Sequence, residues 1–294
     1  MDNCKPILTI GLCAKNSERT ISLAIDSIFR QDFPHDLIEI IFVNDGSTDN
    51  TLKLMQDAAK KTDVKTRVFS GPWQGLGKAR NTVIFNAQGE YVLWVDSDEI
   101  LTEHYVRKQL DVIRKNPKSG IAIGQLGILP GQSAVLVLEL VPYMLACSNN
   151  SWRYPYKMPG TGAAICRLSA AKEIGGFDEE IKGTGEDVEF AIRLMQAGWL
   201  IEQGKSVFYE THGEMITLRQ LWNKYVNNGY HGGRFYEKTK FISFYRINPI
   251  SSFIAGLFYS IDALRLTNRK IALLLPFHFF FKMTAWLYGF SKYK

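Results

Sequence analysis

The sequence predicts an α/β fold on a mostly parallel sheet covered by helices on both faces, followed by a helical extension. Three observations carry this. Buried-type apolar runs alternate with helical-period segments from Pro6 to Lys115, polar turns follow the carboxyl ends of those runs, and beyond Thr217 the composition becomes aromatic and basic. The division expected is 1–215 for the α/β domain and 216–294 for the extension.

The 294 residues can bury one large core or two ordinary ones. A net charge of +6 biases the partners toward phosphates and anionic membrane surfaces. It does not make nucleic acid a partner, because no dense basic stripe with interleaved aromatics is present. Cys4, Cys13, Cys147 and Cys166 are scattered, so neither a zinc site nor a disulfide framework is indicated, and a reduced compartment fits. The first strand starts near Pro6, which leaves no room for a signal peptide, and a cytoplasmic location is expected.

Taken in order, Pro6 to Cys13 is β-prone. Ile21, Ala24, Ile25, Ile28 and Phe29 fall at helical spacing, with Ser17 as the expected cap. Asp32 to Asp36, containing Pro34, breaks that helix. Ile38 to Val43 is a second strand ending in Asn44-Asp45-Gly46-Ser47-Thr48-Asp49, rich in turn formers and side-chain acceptors, and a helix with Leu52, Leu54, Met55 and Ala58 follows. Val64 to Phe69 makes a third strand. Gly75-Leu76-Gly77-Lys78-Ala79-Arg80-Asn81 opens the next helix; it lacks the third small residue and the first-strand position of a dinucleotide fingerprint. Lys78 and Arg80 then sit near anionic ligand groups or form a solvated helix face.

Tyr91 to Val95 is a buried strand ending in Asp96-Ser97-Asp98-Glu99. Extended geometry puts Asp96 and Asp98 on one side, an oxygen-rich corner suited to Mg or Mn with room for a diphosphate. The plain alternative is that these acids cap the following helix, expected over Thr102 to Lys115. Ile121 to Ile123 is another strand, while the apolar run Val135 to Val141 fits either a buried helix or a strand. Asn149 to Gly162, with Trp152, Arg153, Tyr154 and Tyr156, reads as a loop. Glu186, Asp187 and Glu189 open a helix carrying Val188, Ala191, Ile192, Leu194 and Met195. They either complement the helix dipole or, freed by Gly183 and Gly185, bring Asp187 into a cleft as a base.

Five motifs occur in one order: Asn44 to Asp49, Gly77 to Asn81, Asp96-Ser97-Asp98, Gly175-Gly176-Phe177-Asp178, and Gly185-Glu186-Asp187 with Ala197-Gly198-Trp199. With them, residues 5 to 215 resemble the family 2 glycosyltransferases, inverting nucleotide-sugar enzymes of the GT-A fold. Leu12-Cys13-Ala14 departs from the proline often found near the end of the first strand, although Asn16 and Glu18 keep their places. The resemblance implies donor contacts at Asn16, Glu18, Asn44, Asp45, Lys78, Arg80, Asp96 and Ser97. It implies a Mn or Mg ion at Asp96 and Asp98, with His212 as a further ligand. It also implies Asp187 as the base, with Glu186 orienting it or contacting the acceptor. A metal-dependent hexosyltransferase acting on a lipid-linked or glycan hydroxyl follows as the expectation. The rivals are a sugar-nucleotide nucleotidyltransferase, which would want a glycine-rich basic loop after the first strand, and a silent nucleotide-sugar-binding scaffold.

In the extension, Leu218 to Lys240 reads as a helical stretch interrupted by Gly229, Gly232 and Gly233, with Arg219, Lys224, His231 and Arg234 leaning over a diphosphate or facing solvent or membrane. Ile271 to Phe290 has nearly the length of a membrane span, yet holds Pro276, His278 and Lys282. With Arg269, Lys270, Lys292 and Lys294 at its ends, it fits a helix lying in the membrane interface better than one crossing it. An ordinary core helix or dimer contact is the remaining alternative.

Overall fold

The computed structural model describes residues 5–146, 160–183, 185–211, 217–239 and 248–293. Two compact units emerge. The first comprises Met1–Gln125, Met158–Lys182 and Glu186–Gly213, and the second Leu126–Lys157, Gly183–Gly185 and Glu214–Lys294.

The first unit runs β1 (Leu8–Ala14), α1 (Ile21–Phe29), β2 (Ile38–Asp45), α2 (Thr51–Lys61), β3 (Lys65–Gly71), α3 (Leu76–Asn86), β4 (Tyr91–Trp94), β5 (Glu99–Leu101), α4 (Tyr105–Arg114) and β6 (Ser119–Gly127). After α5 (Ala134–Ala146), which belongs to the second unit, come β7 (Ile165–Arg167), α6 (Leu168–Glu173), α7 (Glu186–Gln196) and β8 (Leu200–Glu210). The strands form one eight-stranded sheet in the order β3-β2-β1-β4-β7-β6-β8-β5. From β3 to β4 the pairing is parallel, with Leu8 opposite Ile38 and Gly11 opposite Trp94. Beyond β4 the described pairs β4–β7, β6–β7 and β5–β8 are antiparallel.

The sheet is therefore mixed rather than mostly parallel. The periodicity that identifies buried strands says nothing of their direction, and short strands such as β5 and β7 carry little pattern at all. All seven residues of β1 are buried, as a central strand covered on both faces requires. Gly11 on β1 is needed for close packing, since a Cβ there would come within 2.7 Å of Val83 on α3. Ser17 does not cap α1. The helix begins at Ile21, and the Ser17 carbonyl accepts the Ile21 N–H in a preceding turn.

Past the end of β6, the regular structure described in the second unit is helical. Besides α5 it holds α8 (Leu218–Thr239), α9 (Pro249–Thr267), a 3-10 turn at Lys270–Leu274 and α10 (Leu275–Ser291). The run Val135 to Val141 is thus a helix, and Val137, Leu138, Val141 and Leu145 pack on Ala263, Ala272 and Leu275. α8 is continuous through its glycines because two of them let α10 approach. A Cβ on Gly229 would lie 2.0 Å from the Trp286 carbonyl oxygen, and one on Gly232 2.9 Å from the Trp286 ring. Asn248 caps α9 by accepting the Ile250 N–H, with Pro249 in the first turn, where its missing N–H costs nothing.

Glu139 of α5 is 1% exposed, yet it is well supplied with donors: Tyr225 at 3.0 Å, His278 Nε2 at 3.1 Å, and Lys282. Lys224 stands 3.7 Å away. Burial alone would raise its pKa, but Lys282, His278 and Lys224 together hold it well below the usual carboxylate range. The His278 and Lys282 stripe of α10 therefore faces the inside of this unit and not water.

Candidate active site

The loops after β1, β2 and β4 meet at one edge of the sheet in the first unit. Asn16, in the left-handed region at φ 52°, accepts from the Thr48 N–H at 2.8 Å and donates its own N–H to Ser47 at 3.0 Å. Glu18 accepts from the Asn50 N–H at 3.1 Å and donates its N–H to Asp49 at 3.1 Å. Both residues clasp the β1–α1 loop to the β2–α2 loop and so shape the rim. Asn44 is buried, donating to Ser70 and accepting from the Ser47 N–H. Asp45 accepts the Gln74 and Gly75 N–H groups at 2.8 and 3.0 Å, fixing the turn ahead of α3. Gly46 is required here, since a Cβ would lie 2.4 Å from the Trp73 nitrogen. The exposed Trp73 ring carries Lys15 Nζ at 4.4 Å from its centroid.

On α3 the two cations part company. Lys78 is partly exposed and pairs with Glu179 at 3.0 Å. Arg80, one turn's fraction round the helix, is only 3% exposed, so the solvated-face expectation fails for it. One guanidinium nitrogen donates to Asp96 at 2.9 Å and the other to Glu186 at 2.9 Å. The Arg80 guanidinium also lies 5.5 Å from the ring of Phe177, whose backbone the amide of the neighbouring Asn81 binds. That amide donates to the Phe177 carbonyl and Glu179 and accepts the Phe177 N–H at 2.7 Å, gripping the turn made by Gly175 and Gly176. Both glycines have φ +79°, and a Cβ on Gly176 would sit 2.4 Å from the Asn81 oxygen. Phe177 in turn stacks on Phe190 of α7, with centroids 4.1 Å apart, and meets Trp94 edge-on. The Gly77–Asn81 and Gly175–Asp178 motifs are thus one device that docks α7 against α3.

Asp187 follows Glu186 at the start of α7, half-buried, with its Oδ1 accepting the Val188 N–H at 2.8 Å. Three carboxylates, Asp96, Glu186 and Asp187, share one guanidinium, which cannot offset all three. Burial, then Asp187, push Glu186 up to about 7 despite Arg80. Burial also raises Asp187, with Arg80 opposing. Burial would lower the pKa of Arg80, but Asp96, Glu186 and Asp187 together raise it, so it stays charged.

Ser97 donates to the Ser17 hydroxyl at 2.8 Å. The Asp98 carbonyl accepts the Thr211 N–H at 2.9 Å, which ties the end of β8 to this corner. The acids do not cap a helix: Glu99 opens β5, and α4 starts only at Tyr105. Glu99 lies behind that corner. Its Oε2 accepts the N–H groups of Asp96 at 2.8 Å and Ala163 at 2.9 Å. Its Oε1 is buried without a hydrogen-bond partner among the described residues, beside Gly162, where a Cβ would come within 2.4 Å. Burial, then Asp96, Glu210 and Asp98, push Glu99 well above the carboxylate range. The signal was present in the third acid of the run, but only tertiary structure brings Gly162 and Ala163 to it.

Asp96, with 37% of its side chain exposed, and Asp98 supply hard oxygen donors, and an orphaned buried carboxylate oxygen lies behind them. That donor set fits Mg or Mn, with phosphate oxygens and water completing the shell. Among the described residues no three acidic, histidine or cysteine side chains converge as a metal cage. His212 lies outside the described residues, as do Trp152, Arg153, Tyr154 and Tyr156. Cys13 and Cys166 are buried thiols that burial pushes up to about 12, so neither is a nucleophile.

Residues 9–133 match Glycosyl transferase family 2, and residues 91–291 match Glycosyl transferase family group 2. The probable glycosyltransferase YdaM of Bacillus subtilis is 26% identical over 67% of this chain and 48% of its own length. The poly(ribitol-phosphate) beta-N-acetylglucosaminyltransferase TarS of Staphylococcus aureus is 32% identical over 38% of this chain and 20% of its own length. The chain thus spans about half, or less, of these curated relatives. Among solved structures, the mannosyltransferase PcManGT of Pyrobaculum calidifontis, in complex with GDP-Man and Mn2+, superposes with a TM-score of 0.69 at 17% identity. That match covers 99% of this chain and 88% of the other. Residues 1–349 of S. aureus TarS, in complex with UDP, give 0.55 at 20% identity, covering 97% of this chain and 90% of that one. These neighbours share the GT-A-like architecture, and with a family match across two thirds of its length the chain belongs to the family 2 glycosyltransferases.

Proposed function

We propose that this chain is a metal-dependent, inverting glycosyltransferase that moves a hexosyl group from a nucleoside-diphosphate sugar to a hydroxyl of a lipid-linked or glycan acceptor at the cytoplasmic face of a membrane. One observation carries the reading: the buried Arg80 joins the corner of Asp96 to the Glu186–Asp187 end of α7, so a diphosphate-side acid and a base-side acid meet in one cluster. The nucleotides in complex with the structural neighbours, GDP-Man and UDP, support a nucleoside-diphosphate donor.

In this reading the Asp45 turn and the Asn16–Ser47 clasp receive the nucleoside. Asp96 and Asp98, with His212 as a further candidate, would hold a Mg or Mn ion, and Ser97 lies between the two aspartates in sequence. A bound Mg or Mn supplies charge that offsets the negative charge on the departing diphosphate. The acceptor hydroxyl oxygen forms a bond to the anomeric carbon from the side opposite the diphosphate. The bond from that carbon to the diphosphate oxygen breaks, and its electron pair leaves with the nucleotide. The acceptor proton passes to Asp187. Burial raises the pKa of that carboxylate toward the working pH, which suits a base that must both stay ionised and accept a proton. Glu186, fixed by Arg80, orients Asp187 or contacts the acceptor.

The test is a panel of nucleotide sugars with Mn or Mg, scored by thermal shift and by release of nucleotide. At least one donor should stabilise the protein in a metal-dependent way and be hydrolysed slowly. If no member of the panel produces a shift, donor binding is wrong.

A further inference from the structure

We infer that the second unit docks in the plane of an anionic bilayer through one apolar face built jointly by α9, the Lys270–Leu274 turn and α10. This deepens the membrane part of the proposed function by naming the face, its geometry and the lipid chemistry.

On α9 the exposed residues Ile250, Ile254, Leu257, Phe258 and Ile261 recur at spacings of three and four, a single helical stripe. The opposite side of α9 is buried, with Ser252, Gly256, Ser260 and Ala263 turned inward and Gly256 pressed against the Pro276 backbone. Leu273, Leu274, Phe277 and Phe280 continue the exposed surface. The Phe277 ring meets Phe253 of α9 edge-on at 5.4 Å, which joins the two stripes into one surface. Ile250 and Phe277 are each 65% exposed and Phe258 58%, values out of keeping with side chains of that size on a face meant for water.

Charge settles which partner fits. Between Pro249 and Tyr293 the only acid is Asp262, set against Arg265, Arg269, Lys270, Lys282 and Lys292. Lys282 is engaged by Glu139, but Arg265 is 76% exposed, and Arg269, Lys270 and Lys292 are exposed as well. An apolar stripe bordered by cations matches hydrocarbon bordered by anionic headgroups, whereas two copies of this face would bring like charges together.

The packing also decides between lying on the membrane and crossing it. Lys270–Ser291 is the one described stretch long and apolar enough to cross. However, α10 lies close against α8: a Cβ on Gly289 would come 1.9 Å from the Val226 carbonyl oxygen, and one on Gly229 2.0 Å from that of Trp286. A crossing α10 would carry α8 into hydrocarbon with its exposed Arg219, Asn223 and Asn227. Lying in the interface, α9 and α10 bury their stripe while α8 stays wet.

The experiment uses the full chain and vesicles of phosphatidylcholine, with or without 30% phosphatidylglycerol, in flotation without any sugar donor. The wild type should float with the anionic vesicles, more weakly with neutral ones, and be released by alkaline carbonate. Phe258→Ser with Phe277→Ser should lower partitioning at least about tenfold on both vesicle types. Arg265→Ala, Arg269→Ala and Lys270→Ala together should lower it on anionic vesicles only. Both variants should keep the wild-type melting temperature and the metal-dependent nucleotide shift, which separates failure of this inference from failure of donor binding. Absence of flotation, unchanged flotation of the serine variant, resistance to carbonate, or a wild-type dimer that the serine variant dissociates would each overturn it.

Discussion

Replacing Arg80 with Met keeps the stem and removes the charge, and the structure sets how much that costs and at what pH. The Asp96 side chain is 37% exposed, so its half of the pair is screened and contributes about 1 kcal/mol or less. The Glu186 side chain is 5% exposed, and left ionised without Arg80 it would cost about 3–5 kcal/mol. It escapes that cost by taking up a proton. Its pKa stands at about 7 in the native protein, against 4.5 for an unperturbed Glu. A carboxyl raised in the fold contributes stability below its unfolded pKa that is lost as pH rises through the folded value. Removing Arg80 moves that value higher still. At pH 6 the group is already protonated and the variant loses only about 1 kcal/mol, the Asp96 half. At pH 8 neutralising Glu186 adds about 1.4 kcal/mol for each pH unit above its native pKa. Melting temperatures should therefore fall by about 2–4 °C at pH 6 and about 5–10 °C at pH 8. Thermal melts of Arg80→Met and wild type across this range, with Arg80→Lys as an intermediate, make the comparison. An equal loss at both pH values, or none, would refute the idea that Arg80 is the counterion of Glu186.

Two more outcomes follow from the same cluster. Glu186 is largely protonated below its native pKa of about 7, so Glu186→Gln should leave the acid limb of the pH–rate profile, set by Asp187, in place; a limb that moves to lower pH would show that Glu186 is ionised beside Asp187. Gly162→Ala places a methyl against the Glu99 oxygen at 2.4 Å and should displace the Asp96 N–H that Glu99 holds. The apparent Mn affinity should drop about tenfold or more, read by metal titration of the nucleotide-induced shift, and an unchanged midpoint would separate Glu99 from the metal corner.

The legible part of this molecule was its alternation. Buried runs read as Pro6 to Cys13, Ile38 to Val43 and Tyr91 to Val95 match β1, β2 and β4, with polar loops at their carboxyl ends, because period and turn chemistry are local properties. The antiparallel half was not legible, since β5 and β7 have three residues each and their direction is fixed by what they pair with. At the site, the motif order picked out Asp96, Glu186 and Asp187, but not Arg80 as the link between them. A basic residue in the first turns of a helix looks alike whether it faces water or two acids 16 and 106 positions away. Asp45, Asn16 and Glu18 likewise turn out to hold backbone groups of neighbouring loops. In the extension, His278 and Lys282 stand out as polar residues in an apolar helix, but nothing local shows that a buried glutamate 139 positions upstream of His278 engages both.

If Asp187 takes the acceptor proton beside a donor held at Asp96 and Asp98, Asp187→Asn should separate donor binding from turnover. With whichever nucleotide sugar gives the largest metal-dependent shift, wild type and variant are compared for donor binding and for sugar release. Binding should stay within about twofold of wild type, and turnover should fall by about 10²–10⁴-fold. Turnover near the wild-type rate, with the donor still bound, would contradict that role of Asp187.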